Sequence, residues 1–216
     1  MKRLLLLCLL PLVLTGCAGA PDAGDLLPIL TAGVSMDADG GLELTAEAVR
    51  QEELEGTASS TYLTAHGDSP DDLFAQADAL MANSLYFSHA RTFIIDESLA
   101  RAGLRPLVGS LLDRGDVRLT LRLAVARDAE ADDLVRAEAV AAQLPGEALG
   151  DLLDLRAEQG DLPDLPLSAA ADALLAGTDF SLPALTLTDD GRVLPDGQAD
   201  FRLGRLAGFS GGDAHA

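Results

Sequence analysis

The sequence predicts an α+β fold, a mixed β-sheet with helices packed on its faces. Three observations carry this. Residues 85–128, LYFSHARTFIIDESLARAGLRPLVGSLLDRGDVRLTLRLAVARD, read as strand, helix, helix, strand. Two helices between two strands make a crossover, which joins parallel strands of one sheet. Residues 29–36 and 42–49 are apolar-rich segments joined by Asp37-Ala-Asp-Gly-Gly41, a turn sequence and hence a hairpin. A hydrophobic content of 48% is enough for a real core, built mostly from Leu, Ala and Val because there is no Trp.

The chain opens with Lys2 and Arg3, an apolar run over residues 4–14, and then Leu14-Thr15-Gly16-Cys17. A charged start, a short apolar run and small residues before a cleavage point make a secretory signal. The run is too short to cross a membrane as a helix, which takes about 20 apolar residues. Leu14, Thr15, Gly16 and Cys17 match the lipobox of bacterial lipoproteins, in which the cysteine is diacylated and becomes the new N-terminus. Each CH₂ of an acyl chain contributes about 0.8 kcal/mol when buried in lipid, so a two-chain anchor holds firmly. Residues 1–16 are thus the expected signal peptide, and the small, polar residues 17–24 a flexible tether. The mature protein is expected to be membrane-anchored and extracytoplasmic. Cys8 leaves with the leader and Cys17 carries lipid, so no thiol is left for a disulfide, a nucleophile or a metal.

Without Lys2 and Arg3, 13 basic residues face 35 acidic ones over the 200 residues from Cys17, a net charge of −22. So acidic a surface has little with which to neutralise phosphates, which argues against nucleic acid. It argues equally against broad adhesion to anionic lipid. It suits solubility, or attraction to cations or a basic partner.

Along the mature chain, the 37–41 turn resembles half a calcium loop, but the twelfth position is Ala48 where a Glu is needed, so it reads as a hairpin. Residues 56–67 are Ser/Thr-rich and read as loop with a short strand. Ser69-Pro70-Asp71-Asp72 starts a helix: a capping Ser, proline next, acids in the first turn. Leu73, Phe74, Ala77, Leu80 and Met81 give it one apolar face, running to about Ser84. Residues 91–95 are a β-branched and aromatic run suited to a buried strand. Asp96 caps a helix over 97–102 that Gly103 ends. Pro106 begins another, with Leu107, Val108, Leu111 and Leu112 on one face and Gly115 closing it. Leu119, Leu121, Leu123 and Val125 alternate with Thr120, Arg122, Ala124 and Ala126, the pattern of a half-buried strand. Residues 129–160 read as two helices interrupted at Pro145-Gly146, and 162–167 as an extended connection. A short helix over 168–176 ends at Gly177, a strand spans 180–187, Asp189-Asp-Gly191 turns, and 197–206 hold one more short strand. Residues 210–216 are expected to be a flexible tail.

Candidate chemistry is sparse. His89 opens a buried strand and is expected to donate to a backbone carbonyl or carboxylate. Ser88 and His89 do not make a nucleophile and base, because neighbours on a strand point to opposite faces. His66 falls in a loop and His215 in the tail, with no metal-ligand spacing between them. No nucleophile elbow or phosphate loop is present. A pair of acids for glycoside chemistry would want aromatic platforms for the sugar, and the chain has no Trp and two Tyr. Arg114, between Asp113 and Gly115, binds helix-terminal carbonyls or Asp113, or else meets a partner. No catalytic residue, cofactor or metal is assigned.

Leu85-Tyr-Phe-Ser-His89 and FIIDESLARAGLRPLVGSLLDRGDVR, with LLPILTAGVSMDADGGLELTAEAVR before them and GQADFRLGRLAGF after, resemble the spore-germination Ger(x)C lipoproteins of the GerAC type. The order and spacing of the four segments carry the resemblance, which covers most of residues 25–209, expected to be one Ger(x)C-like N-terminal domain. It implies a lipid-anchored, non-catalytic C subunit of a spore germinant receptor. That subunit would work beside two integral membrane subunits in the inner spore membrane during nutrient-triggered germination. Ser88, His89, Arg114 and Gly197 are the signature positions, with structural roles implied. Two departures stand out. Family members commonly start the mature chain with Cys-Trp, where this one has Cys17-Ala-Gly-Ala-Pro, and they continue well past the point matching Gly208. The alternative reading is a solute-binding lipoprotein of a membrane transporter, which would normally be longer and have aromatic residues lining a cleft.

Overall fold

A computed structural model of the chain describes residues 26–51, 58–80, 84–137 and 144–212. The signal peptide, Leu14, Thr15, Gly16 and Cys17, the tether, Met81, residues 138–143 and His215 lie outside the described residues. Strands β1 (Leu26–Met36) and β2 (Leu42–Gln51) form the expected antiparallel hairpin. Asp37 shapes its turn: Oδ1 accepts from the backbone N–H of Asp39 at 2.9 Å and of Gly41 at 2.8 Å. Then come β3 (Ala58–Gly67), helix α1 (Pro70–Ala79), β4 (Ser84–Tyr86) and a 3₁₀ turn over Phe87–His89. The central unit is β5 (Thr92–Ile95), α2 (Glu97–Ala102), α3 (Arg105–Asp113) and β6 (Arg122–Ala126). Helices α4 (Ala131–Arg136), α5 (Pro145–Glu158) and α6 (Leu167–Ala176) follow, then β7 (Phe180–Leu187), β8 (Val193–Arg202) and β9 (Arg205–Ser210).

All nine strands belong to one mixed sheet in the order β3-β2-β1-β5-β6-β7-β8-β9, with β4 beside the start of β1. β1, β5, β6 and β7 run parallel, and antiparallel strands flank them on both sides. Crossovers force this arrangement, because each returning helix must cover a face of the sheet. One face carries α1, α2, α3 and α6, and its core gathers Phe74, Phe87, Phe93, Leu107, Leu123 and Phe201. The opposite face carries α4 and α5, which pack Leu134, Val135, Leu149 and Leu153 over Ile94 and Ala124. Among the described residues the first core holds 34 buried apolar residues and the second nine, so the two helical layers are attached unequally.

Local signals set the helix ends where expected in several places. Asp96 accepts from Ser98 N to cap α2, and Gly103 ends it at φ 122°. Ser69 caps α1, and Gly177, left-handed at φ 68°, ends α6. Elsewhere tertiary pairing overrides local sequence. The Ser/Thr-rich stretch expected as loop with a short strand is a full strand, β3, because β2 offers it an uninterrupted antiparallel ladder. α1 stops at Ala79, leaving Leu80 exposed, because Ser84 is taken into β4. Leu112 and Leu119 are exposed rather than inward. α3 ends with Arg114 in extended backbone, so Gly115 is not the closing residue. β6 starts only at Arg122 and is covered on both faces, not half-buried: Leu123 and Val125 enter one core, Ala124 and Ala126 the other. The single short strand expected over 197–206 is a hairpin, β8 and β9, turning at Leu203 and Gly204, both with positive φ.

Leu123 faces the larger core and is fully buried, beside Phe93 in the β5–β6 register. Leu123→Ala should lower unfolding stability by roughly 2–5 kcal/mol. Urea unfolding of the two proteins measures this, and a near-zero change would contradict the assignment of that face.

Candidate functional site

The signature positions do not converge. Arg114 follows α3 and folds back between two carboxylates: Nε lies 3.0 Å from Asp116 Oδ1, and Nη1 lies 3.0 Å from Asp78 Oδ2 on α1. Its guanidinium also lies over the rings of Phe87, at 4.7 Å, and Phe74, at 5.3 Å. Asp116 Oδ2 in turn accepts from the Phe87 backbone N–H at 3.0 Å. Burial pushes the Arg114 pKa down, but the hydrogen bonds to Asp116 and Asp78 outweigh it and hold the group above its ordinary value. Arg114 is therefore a rivet joining α1, the 3₁₀ turn and the α3–β6 loop. Asp78 and Asp116 take the place expected for Asp113 and the helix carbonyls.

Ser88 and His89 sit on that 3₁₀ turn, not at the start of a buried strand. The turn closes through Ala90 N–H donating to Phe87 O at 2.9 Å, which buries Phe87 and leaves His89 exposed beside the Tyr86 ring. His66 lies on β3 rather than in a loop, exposed, with Nδ1 3.4 Å from Glu43. Gly197 is elsewhere, on β8 at φ 75°, where a Cβ would stand 2.5 Å from the backbone of Ser210 and Gly211. Only glycine fits that approach of β8 to β9. Among the described residues no group of three or more His, Cys, Asp or Glu is placed to hold a metal ion.

Open parallel sheets bind ligands outside the carboxyl ends of their strands, where successive crossovers leave on opposite faces. β5 and β6 are such a pair: β5 runs into α2 on one face, and β6 into α4 on the other. The crevice there is acidic, lined by Asp96, Glu97, Asp128, Glu130 and Asp133. The charge of Asp96, then burial, then Asp133 push the Glu130 carboxyl above its usual range. The crevice is thus unsuited to a phosphate, and Asp96 is already occupied in capping α2.

The arrangement least legible from the sequence lies beneath α5. Tyr62, Glu47, Thr31, Thr92 and Arg122 are lateral partners across β3, β2, β1, β5 and β6, so they form one polar row on one face. α5 descends onto this row through Gly146 and Gly150, one turn apart. A Cβ on Gly146 would lie 2.4 Å from Thr31 Oγ1 and 2.5 Å from Glu47 Oε2, and one on Gly150 would lie 2.8 Å from Arg91 Nε. Glu47 is fully buried; it accepts from Ser60 Oγ and, through Oε2, from Gly146 N–H at 2.7 Å. A carboxyl from the sheet thereby caps the helix, where N–H groups and the helix dipole favour negative charge. Burial nonetheless dominates and raises its pKa, against the two hydrogen bonds. Farther along α5, Asp151 and Asp154 pair with Arg91, and Asp154 also with Arg122 at 2.8 Å. Among the described residues the Thr31 and Thr92 hydroxyls are buried without a hydrogen-bond partner. Thr31 also lines a cleft of about 300 Å³ between α4, α5 and the start of β8, walled by Leu134, Val135, Gly146, Leu149 and Val193.

The family model described as "spore germination protein N-terminal domain" matches residues 22–187. No protein of curated function matches the chain. Among solved structures, the crystal structure of the GerBC protein is similar with a TM-score of 0.42 and 15% sequence identity, over 83% of this chain and 52% of that one. The chain thus spans about half the length of that protein.

The buried Glu47 carboxyl fixes a pH dependence. Its folded pKa is raised above the ordinary 4.5, so folding favours the protonated form. Its contribution to stability is full below about pH 4.5 and is lost as pH rises through the folded value. Glu47→Gln keeps an acceptor for Gly146 and removes the charge. In urea unfolding from pH 4.5 to 8 the variant should gain stability relative to wild type, by at most about 1.4 kcal/mol per pH unit. Stability curves that stay parallel across this range would contradict the assignment.

Proposed function

This chain belongs to the GerAC-type spore germination protein family, and from that membership we propose that it is a lipid-anchored, non-catalytic subunit of a spore germinant receptor. The observation that carries the reading is the match of the family's N-terminal domain over residues 22–187. Leu14-Thr15-Gly16-Cys17 supports attachment to the membrane through Cys17. Among the described residues no helix is long and apolar enough to cross a membrane, so in this reading the lipid is what holds residues 26–212 there. Arg114 with its two carboxylates, and Glu47 with Ser60 and Gly146, join elements of the fold to one another, which is structural work.

The partners would be the integral membrane subunits of the receptor, in the inner membrane of the spore. The chain's formal charge of −20 predicts that charged contacts fall on basic residues of the partner and weaken with salt. One experiment tests anchor and assembly together. Wild type and Cys17→Ala are each affinity-purified from spore membranes and analysed by mass spectrometry. Wild type should start at a diacylated Cys17 and recover receptor membrane subunits, while the variant should accumulate as precursor and recover none. An unmodified N-terminus at another residue would overturn the anchor. Recovery of a transporter permease in place of receptor subunits would overturn the assembly.

A further inference from the structure

We propose that the cleft beside α5 binds a small molecule with an aliphatic body and one uncharged hydrogen-bonding group, which pairs with the hydroxyl of Thr31. The cleft has the size and lining of a small-molecule site. Such sites run from roughly 300 to 1,000 Å³ and are mostly apolar, with a few placed polar groups. At about 300 Å³ this one is at the small end. Its walls are aliphatic: Leu134 and Val135 from α4, Leu149 from α5, and Val193 at the start of β8.

The placed polar group is Thr31. It is 1% exposed, its Oγ1 has no hydrogen-bond partner among the described residues, and it lines the cleft. Its direction is fixed by register. Gly33, two residues on along β1, meets Val135 and Ala131 of α4, and Gly146 of α5 stands over Thr31, so the hydroxyl points into the layer between sheet and helices. A buried hydroxyl without a bond leaves its desolvation uncompensated, which a ligand able to donate or accept there makes good.

The charged groups nearby decide what that ligand is. Glu47, the lateral neighbour of Thr31, is buried and acidic and disfavours an anion. Arg192, at the cleft, is already paired with Asp190 at 2.6 Å. An ammonium group would need a carboxylate free to receive it, but both Glu47 oxygens are engaged by Ser60 and Gly146. A neutral hydroxyl or amide on an aliphatic frame therefore fits best. This inference stands apart from the receptor reading, since it rests on the cleft alone.

The test uses the full chain, isotope-labelled in detergent, titrated with cyclohexanol and with methylcyclohexane, a probe of similar shape without a polar group. Thr31→Val is the paired variant. It exchanges an unbonded hydroxyl for a methyl and should keep the fold, and partitioning of the probe into micelles cancels between the two proteins. Cyclohexanol should shift the backbone resonances of Thr31, Leu134, Leu149 and Val193 saturably, and more tightly than methylcyclohexane does. Thr31→Val should weaken cyclohexanol about five- to tenfold, as loss of one buried hydrogen bond does, and leave methylcyclohexane unchanged. Absence of saturable shifts, saturation at resonances elsewhere, or equal cyclohexanol affinity in the variant would each overturn the proposal.

Discussion

Strand β5 has no side that faces water. All four of its residues, Thr92–Ile95, are buried, because parallel partners flank it on both edges and helices cover both faces. A strand so placed obliges the chain to supply two helical layers. One follows directly from β5 through α2 and α3. The other follows from β6 through α4 and α5. The rest of the molecule meets that obligation by two different physical means.

The layer of α1, α2, α3 and α6 is held by apolar burial. At about 25 cal/mol per Å² of apolar surface, aromatic and branched side chains such as Phe93, Leu107, Leu123 and Phe201 dominate its attachment. The layer of α4 and α5 meets a face that is polar where it crosses the middle of the sheet. It is held by Leu149 and Leu153, by the Glu47 cap, and by ion pairs of Arg91 and Arg122 with Asp151 and Asp154. α4 adds buried Ala131, Leu134 and Val135 to that layer, along with Asp132 bonded to Thr45 and Arg136 to Thr64. Partly exposed ion pairs contribute about 0–1 kcal/mol each, and the raised pKa of Glu47 shows that burying this carboxyl is opposed by desolvation. The second layer is therefore the more readily released. A firm layer and a more loosely attached one thus share the same sheet.

The sequence displays some of this and hides the rest, for reasons that can be traced to residues. Capping is local, so Ser69, Asp96, Gly103 and Gly177 announce the ends they make. The hairpin through Asp37 and the parallel pairing of β5 with β6 are legible because a turn and a crossover are short-range signals. β3 is not, since Ser59, Ser60, Thr61 and Thr64 have loop-like composition and only the ladder with β2 makes them a strand. The polar row is hidden in plain alternation. In β2, Leu42, Leu44, Ala46 and Ala48 alternate with Glu43, Thr45 and Glu47, which looks like a face turned to solvent. α4 and α5 come to lie over that face from some 90 residues away, and nothing local in β2 foretells them. His89 misleads in the opposite sense: its neighbours look like the start of a strand, while a 3₁₀ turn buries Phe87 in its stead. At Arg114, the carboxylate partners Asp78 and Asp116 are ones that only the folded chain brings to it.

The two helical layers differ in how firmly they are held. Native-state amide hydrogen exchange, followed with increasing denaturant, measures this directly, because it separates local opening from global unfolding. Amides of α5 should exchange through an opening that costs less than global unfolding and depends weakly on denaturant, while those of β5, β6 and α3 should exchange only when the whole domain unfolds. α5 amides as protected as those of β5, with the same denaturant dependence, would contradict this and make the two layers one cooperative unit.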